Sequence, residues 1–330
     1  MRRDPPAGRL HVGVVGAGRI GAFHAETLRA LEAVARVTVA DALPGRGDVT
    51  SAEQLVEAGV DALVIATPTG AHADLLRLAA AAGLPAFCEK PVALELEALD
   101  RVAEDVARAG ILVQVGFQRR FDRGFRAARD AVAAGSVGRV LVVRAATHDP
   151  SPPSEEYIAG SGGIFRDLHI HDLDAVRFVT GQEIVEVYAD GAALETPWFA
   201  DHGDVDAAVA VLTLESGTLA VLTGTRHDPL GYDVRLEVFG TGDSLAVGLD
   251  ERMPLHAPDT PARPGYRDFL DRFADAYRAE LAVFVESVRT GGPSACTLEE
   301  ARAALAAAVA ADRSRVARRP VRAGADTALG

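Results

Sequence analysis

The segment 162–178, GGIFRDLHIHDLDAVRF, gathers two histidines and three aspartates into positions 167–174. Three chemistries compete for it: metal ligation, a carboxylate–imidazole proton pair, and the polar start of a packed helix. Read as helical from about residue 166, the run puts positions i, i+4 and i+7 on one side. Asp167, His171 and Asp174 then share a face, while His169 and Asp172 lie elsewhere on the cylinder. A His-x-His pair on a helix sets its rings about 200° apart at ~100° per residue. Few other ligands are on offer, so no metal is expected. Asp167 stands one turn before His171, which lets the carboxylate hold one imidazole nitrogen while the other accepts a proton. A capped, partly buried helix with satisfied polar groups explains the same spacing, and spacing alone leaves these two readings open.

A second candidate is Lys90 in PAFCEKP, residues 85–91. It ends an apolar strand, and open α/β sheets bind ligands at the carboxyl ends of their strands. A lysine there, partly desolvated and near other charges, can exchange a proton or hold a hydroxyl. The plain alternative is a surface lysine beside Glu89.

The elements that must position these groups begin with LHVGVV (10–15), GAGRIG (16–21) and the helical pattern AFHAETLRALE. Between a strand and a helix, GxGxxG carries a mechanism. Gly16 permits the tight turn, Gly18 lets the backbone approach a pyrophosphate, and Gly21 lets helix and strand pack closely. The N–H groups at the helix start, at Arg19 and Ile20, face the anion. A second strand, ARVTVAD, ends at Asp41, 20 residues past Gly21. A carboxylate there accepts from ribose hydroxyls and repels a 2′-phosphate, which favours NAD; NADP is possible, since Arg46 follows closely. Only 19 residues, 42–60, precede the next strand, DALVIA (61–66). They leave room for a turn, a vestigial strand near Val49 and one helix at 51–58. A stunted wall beside the adenine site is therefore expected, with weaker NAD binding. Helix 71–82, strand 85–88, helix 95–109 and strand 111–116 complete a β/α alternation.

The chain has 330 residues, which points to two domains, expected at 1–120 and 121–330. Its formal net charge of −13 argues against nucleic acid and anionic lipid as partners. Cys88 and Cys296 form no CxxC and fit a reducing, cytoplasmic setting. No apolar run reaches the roughly 18–20 residues of a membrane span. The N-terminal MRRDPPAGRL reads as a short disordered leader, without the apolar core of a signal peptide.

Beyond residue 120 the pattern changes. Residues 139–147 alternate as a strand, and the proline-rich DPSPPSEEY follows. Segments near 183–194, 204–214, 217–227, 231–240 and 243–249 read as antiparallel strands with turns ESG, DPLG and GTGDS. Helix 267–289 and a helix from about 298, opened by a Thr297–Glu300 capping box, come next. The expected class is α/β: a Rossmann domain shortened after its second strand, then an α+β domain with an open, mostly antiparallel sheet. The tail ARRPVRAGADTALG is expected to fray after a last short strand.

The stretches GAGRIGAFHAETL, GLPAFCEKPVAL, VGFQRRFD, SGGIFRDLHIHDLDAVRFVTG and RFADAYRAELAVFVE resemble the glucose–fructose oxidoreductase/inositol dehydrogenase/MocA family, most of all its bacterial inositol 2-dehydrogenases. The resemblance covers residues 10–320. It implies NAD(P) bound across the Rossmann domain and a polyol or sugar over the nicotinamide. Carried over by motif, Lys90 touches the reacting hydroxyl, and Asp167 and His171 are the proton-transfer pair. Either His171 or Lys90 could be the base. Pro91 holds the turn after Lys90, often as a cis peptide in the family. Thr67, Pro68, His72, Glu89 and Gln118 fall beside the cofactor, and Arg120 enters the substrate cleft. His169 replaces the smaller polar residue usual there. Asp149 and Tyr232 fall at strand-end loops that could face substrate, with His148 and His227 as further candidates; Trp198 and Phe199 read as core or interface. A homodimer or homotetramer through the open sheet face is implied.

The resulting expectation is a dehydrogenase moving a hydride from a secondary hydroxyl of a cyclic polyol, myo-inositol or a close relative, to NAD. Another sugar or polyol dehydrogenase and an NADPH-dependent keto-sugar reductase are the alternatives within the family. A non-catalytic nucleotide or sugar sensor is the alternative outside enzymes.

Overall fold

The computed structural model describes residues 8–324; the expected leader before residue 8 and the tail after 324 lie outside them. Contacts divide the chain into two units. One runs to Gln118 and takes back Asp275–Arg302; the other holds Arg119–Ala274 and the chain from Ala303. A single cut at 120 does not describe this, because the chain returns to its first unit after residue 274.

The first unit carries β1 (Leu10–Val15), α1 (Arg19–Ala30), β2 (Val34–Ala40), α2 (Ala52–Glu57), β3 (Ala62–Ile65), α3 (His72–Ala82), β4 (Ala86–Glu89), α4 (Leu96–Ala109) and β5 (Val113–Gly116). Its five strands are parallel, in the order β2-β1-β3-β4-β5. Strands covered by helices on both faces lose the in–out alternation of a half-buried sheet, and every residue of β3, β4 and β5 is buried. Helices α3 and α4 stop at Gly83 and Gly110, both left-handed. The returning segment completes the core: Leu281, Phe284 and Val288 pack with Val12, Val14, Leu28, Val64 and Phe87.

The short connection after β2 folds as its length dictates. Asp48 and Val49 lie against Val39, through Asp48 N–H and Val49 N–H to Val39 O at 2.8 and 3.1 Å. The vestigial strand is thus one bridge, Ala40 to Val49. Ser51 and Gln54 cap the six-residue α2 reciprocally.

The second unit carries α5 (Arg123–Ala133), β6 (Val140–His148), α6 (Glu155–Ser161), α7 (Ile164–Asp167), α8 (Ile170–Thr180), β7 (Ile184–Ala192), α9 (Trp198–Asp201), β8 (Ala207–Leu214), β9 (Leu219–Thr225), β10 (Asp233–Gly240) and β11 (Ser244–Val247). Helices α10 (Phe269–Thr290) and α11 (Leu298–Ala317) bridge the division, and β12 (Val321–Arg322) closes the sheet edge. Helix α10 has non-helical backbone at Phe273, next to the residue where the units part. The expected capping box opens α11, with Thr297 N–H on Glu300 Oε2 at 2.7 Å. The seven-stranded sheet runs β11-β10-β6-β9-β8-β7-β12. It is antiparallel except between β6 and β9, which run parallel because the chain between them crosses through the helices and β7–β8.

One local expectation needs correction. Residues 166–180 are not one helix. The backbone ladder slips at Leu168–His169: His169 N–H reaches back to Ile164 O at 2.9 Å, and His171 N–H takes Leu168 O. Asp167 therefore ends α7 while His171 lies in the first turn of α8.

Candidate active site

In the first unit the glycine loop is built by contact. A Cβ on Gly16 would stand 2.6 Å from Ala66 O, and one on Gly21 would stand 1.9 Å from Gly16 O. A Cβ on Gly18 would meet nothing within 4 Å. Gly16 and Gly21 are thus required by the protein itself, whereas Gly18 faces open space at the start of α1, where no side chain caps the helix. That is the cradle a pyrophosphate needs, with Arg19 and Ile20 in its first turn. Asp41 is held beside it: Ala17 N–H donates to Oδ2 at 2.8 Å and Leu43 N–H to Oδ1 at 2.9 Å. Those backbone donors hold its carboxyl below the usual range.

At the carboxyl ends of β3, β4 and β5 stand Thr67, Lys90 and Gln118. Thr67 Oγ1 and Gln118 Oε1 are buried with no hydrogen-bond partner among the described residues. Buried polar atoms are rarely left so, and a bound group that supplies partners is one explanation. His72 ties two of these ends together, with Nε2 2.8 Å from Thr67 O and Nδ1 2.8 Å from Pro91 O. Burial lowers its pKa despite both carbonyls. Pro68 starts the single turn of Thr69–Ala71 that leads into α3. Lys90 is half-buried, and its bond to Pro91 is cis. Glu89 Oε1 lies 2.6 Å from Nε2 of His24 on α1, so its carboxylate is turned into the unit. The open cradle, the fixed carboxylate and the two orphaned polar atoms together fit a nicotinamide dinucleotide.

In the second unit, Asp167 is buried and both its oxygens accept. Tyr157 Oη donates to Oδ1 at 2.8 Å, and Arg226 Nη2 to Oδ2 at 2.9 Å. The charge of Asp167, followed by burial, raises the Tyr157 phenol far above its ordinary range. Arg226 also reaches Asp149 Oδ2 through Nη1 at 3.1 Å. His171 follows on α8, half-buried.

Other expected site residues are placed otherwise. Arg120 does not present its guanidinium as a substrate hand. It forks onto Asp174, Nη2–Oδ1 2.6 Å and Nε–Oδ2 2.9 Å, and both residues are buried. Asp174 is thereby bound to Arg120. Tyr232 is also buried, and its hydroxyl joins the Arg119 guanidinium; burial raises its phenol pKa. Arg119 in turn pairs with Asp172 at 2.5 Å.

His169 belongs to that interior network. It is fully buried, stacks on Phe165 at 5.6 Å and donates from Nδ1 to Asp172 Oδ2 at 2.9 Å. His148 bonds Thr225 through Nδ1 at 2.8 Å, and His227 takes Glu195 at 2.6 Å. Phe199 is core, with Trp198 stacked on it at 4.3 Å.

Tyr157, Arg226, Arg119 and His24 carry much of this geometry and are missed by reading the sequence. Tyr157 sits in a proline-rich stretch that reads as loop but forms α6, capped by Ser154. Arg226 meets its partners only through the sheet.

Comparison with known proteins gives the chain's family. Residues 10–117 match the oxidoreductase family with an NAD-binding Rossmann fold, and residues 125–246 match the GFO/IDH/MocA C-terminal domain. The chain belongs to the GFO/IDH/MocA family. It is 43% identical over 323 residues to myo-inositol dehydrogenase Hyg17 of Streptomyces leeuwenhoekii, covering 92% of this chain and 97% of that one. It is 37% identical over 325 residues to inositol 2-dehydrogenase of Rhizobium meliloti (strain 1021), covering 94% and 98%. Among solved structures, scyllo-inositol dehydrogenase of Lactobacillus casei with bound NAD(H) and scyllo-inositol superposes with a TM-score of 0.88. It is 28% identical, over 96% of this chain and 100% of that one. As a GFO/IDH/MocA protein, the chain is an NAD-binding oxidoreductase.

Proposed function

We propose that this GFO/IDH/MocA protein oxidises a secondary hydroxyl of a cyclic polyol, myo-inositol or a close stereoisomer, with NAD as hydride acceptor. The observation that carries the reading is Asp167. Its buried carboxylate is fixed by two donors, Tyr157 and Arg226, four residues before His171 in the chain. Full-length likeness to proteins named as inositol dehydrogenases supports the substrate class.

The Gly16–Gly21 loop and the start of α1 hold the pyrophosphate, Asp41 the adenosine ribose, and Thr67 and Gln118 the nicotinamide end. Bound NAD supplies the hydride acceptor. His171 takes the hydroxyl proton at an imidazole nitrogen, and Asp167 stabilises the cation that results. Lys90, in the first unit, is a cation able to hydrogen-bond a hydroxyl oxygen and offset growing negative charge. Asp41 opposes a 2′-phosphate, so NAD is preferred over NADP.

No described helix is long and apolar enough to cross a membrane, and Cys88 and Cys296 are buried free thiols, which suits a reducing cytoplasm. We propose a homodimer or homotetramer through the uncovered sheet face, where Tyr188, Val209, Val211 and Leu219 are exposed. Strand register sets these on one side, and Val211→Lys should lower the mass seen by light scattering.

The test of function is NAD and NADP reduction with myo-, scyllo- and chiro-inositol, glucose, galactose and xylose. Turnover of an inositol with NAD, lost in Lys90→Ala and His171→Ala, is expected. Turnover of another sugar alone overturns the substrate. NAD binding without turnover of any of them favours a sensor.

A further inference from the structure

Arg226 and Asp149 leave the sheet side by side. Strand β6 ends at His148 and β9 at Thr225, and these two residues are register partners in the parallel pair. The next residues, Asp149 and Arg226, therefore emerge together, and Asp149 N–H bonds Thr225 O at 2.9 Å. Arg226 is 2% exposed, with Nη1 3.1 Å from Asp149 Oδ2 and Nη2 2.9 Å from Asp167 Oδ2.

We propose that Asp149, Arg226 and Asp167 form an ion triad that sets how strongly His171 holds a proton, with Arg226 and Asp149 as positioning residues. The proposal rests on the assignment of Asp167 and His171 as the proton-transfer pair.

A carboxylate that must stabilise an imidazolium needs to be both fixed and negative. An arginine bound to Asp167 alone would fix it and cancel it. Sharing the guanidinium with Asp149 leaves the triad at −1, so the pull on His171 survives. Burial works against the Arg226 cation, but the charges of Asp167 and Asp149 hold its pKa above the ordinary value. Among the described residues, Tyr157, Asp204 and Tyr232 also act on the triad. Tyr157 of α6 donates to Asp167, and its raised pKa keeps it neutral. Asp204, from the loop after α9, adds a carboxylate toward Arg226 while accepting Ile164 N–H at 2.9 Å. Tyr232 lies toward Asp149, with the Arg119–Asp172 pair behind it.

The sign of the effect separates this from a merely structural role. Asp149→Asn keeps the shape and removes one negative charge, so His171 should release its proton more readily. Arg226→Gln removes the positive charge, so His171 should hold its proton more tightly. Each shift should be about half a pH unit or more, in opposite directions. The measurement is an NMR titration of full-length protein with isotope-labelled histidine, the His171 signal being assigned by its loss in His171→Gln. The acid limb of the pH–rate profile is followed in parallel on the same variants.

Opposite shifts in the NMR titration support the triad. No shift, or shifts of the same sign, overturns it. Should Arg226→Gln fail to fold, Asp149→Asn decides alone: a downward shift supports the triad and its absence overturns it. Opposite shifts in a protein that turns over no polyol would sink the proposed function while leaving the triad standing.

Discussion

Gly224→Ala is the substitution whose effect can be worked furthest from the structure. Gly224 lies on β9 beneath the His169 ring. A Cβ there would stand 2.6 Å from both Cε1 and Nε2 of His169 and 2.9 Å from Thr147 O. Ordinary contact needs about 3.5–4.0 Å, so the ring must retreat by about 1 Å. It has no slack. Phe165 stacks on it, and its Nδ1 hydrogen bond to Asp172 is 2.9 Å. Retreat either overpacks the Phe165 side, at ~1–3 kcal/mol, or loosens a hydrogen bond to a buried carboxylate, at ~1.5–3 kcal/mol. Gly224→Ala should therefore destabilise the second unit by about 1.5–3 kcal/mol. His169→Ser alone should also destabilise, through lost packing and the lost bond to Asp172. In the double variant the new methyl enters the space the ring has left, although Thr147 O still opposes it. The double variant should thus be less destabilised than the sum of the singles by at least ~1.5 kcal/mol. Urea unfolding followed by Trp198, the chain's single tryptophan, reports on this unit. Additivity within about 0.5 kcal/mol would refute the idea that His169 and Gly224 fit each other.

Three further outcomes follow from local geometry and charge. Gly18→Ala should leave thermal stability within about 0.5 kcal/mol of wild type, because its Cβ meets nothing, yet weaken NAD binding at least about tenfold by closing the cradle. Gly21→Ala, with its Cβ 1.9 Å from Gly16 O, should instead lose stability outright; equal behaviour of the two variants would contradict the division of roles. Asp312, paired with Arg166 at 2.9 Å, has its carboxyl raised by burial from 3.8 to about 6. A raised carboxyl contributes stability below pH ~4 that is lost as pH rises through ~6, up to ~3 kcal/mol. Relative to Asp312→Asn, wild type should lose stability between pH 4 and 7 in denaturant titrations, and a constant difference across that range would refute the assignment.

What could be read from the sequence follows the range of the interaction. The glycine loop, Asp41 and the β/α alternation depend on neighbours within about twenty residues and on strand burial, so they are legible. So is the shortened connection after Asp41, because a missing helix is a matter of counting. Helical spacing permits Asp167 and His171 as a pair and the family resemblance assigns them, but the helix breaks between them. What fixes Asp167 is a tyrosine in a segment read as loop and an arginine 59 residues on. Arg120 shows the same dependence on distant partners. A buried arginine at a domain junction has the look of a ligand hand, yet Asp174, 54 residues away, takes its fork. The return of Asp275–Arg302 to the first unit is likewise invisible locally, since α10 reads as one continuous amphipathic helix and only the backbone at Phe273 marks the change.

The central claim is direct hydride transfer from a polyol ring carbon to NAD, with Lys90, Asp167 and His171 as the working groups. It is tested most directly by incubating the protein with NAD and myo-inositol deuterated at every ring carbon, then recovering the reduced cofactor for mass spectrometry. The account predicts one deuterium at the nicotinamide C4 position in the wild-type reaction and no reduced cofactor with His171→Ala. Reduced cofactor without deuterium, or its undiminished formation by His171→Ala, would contradict it.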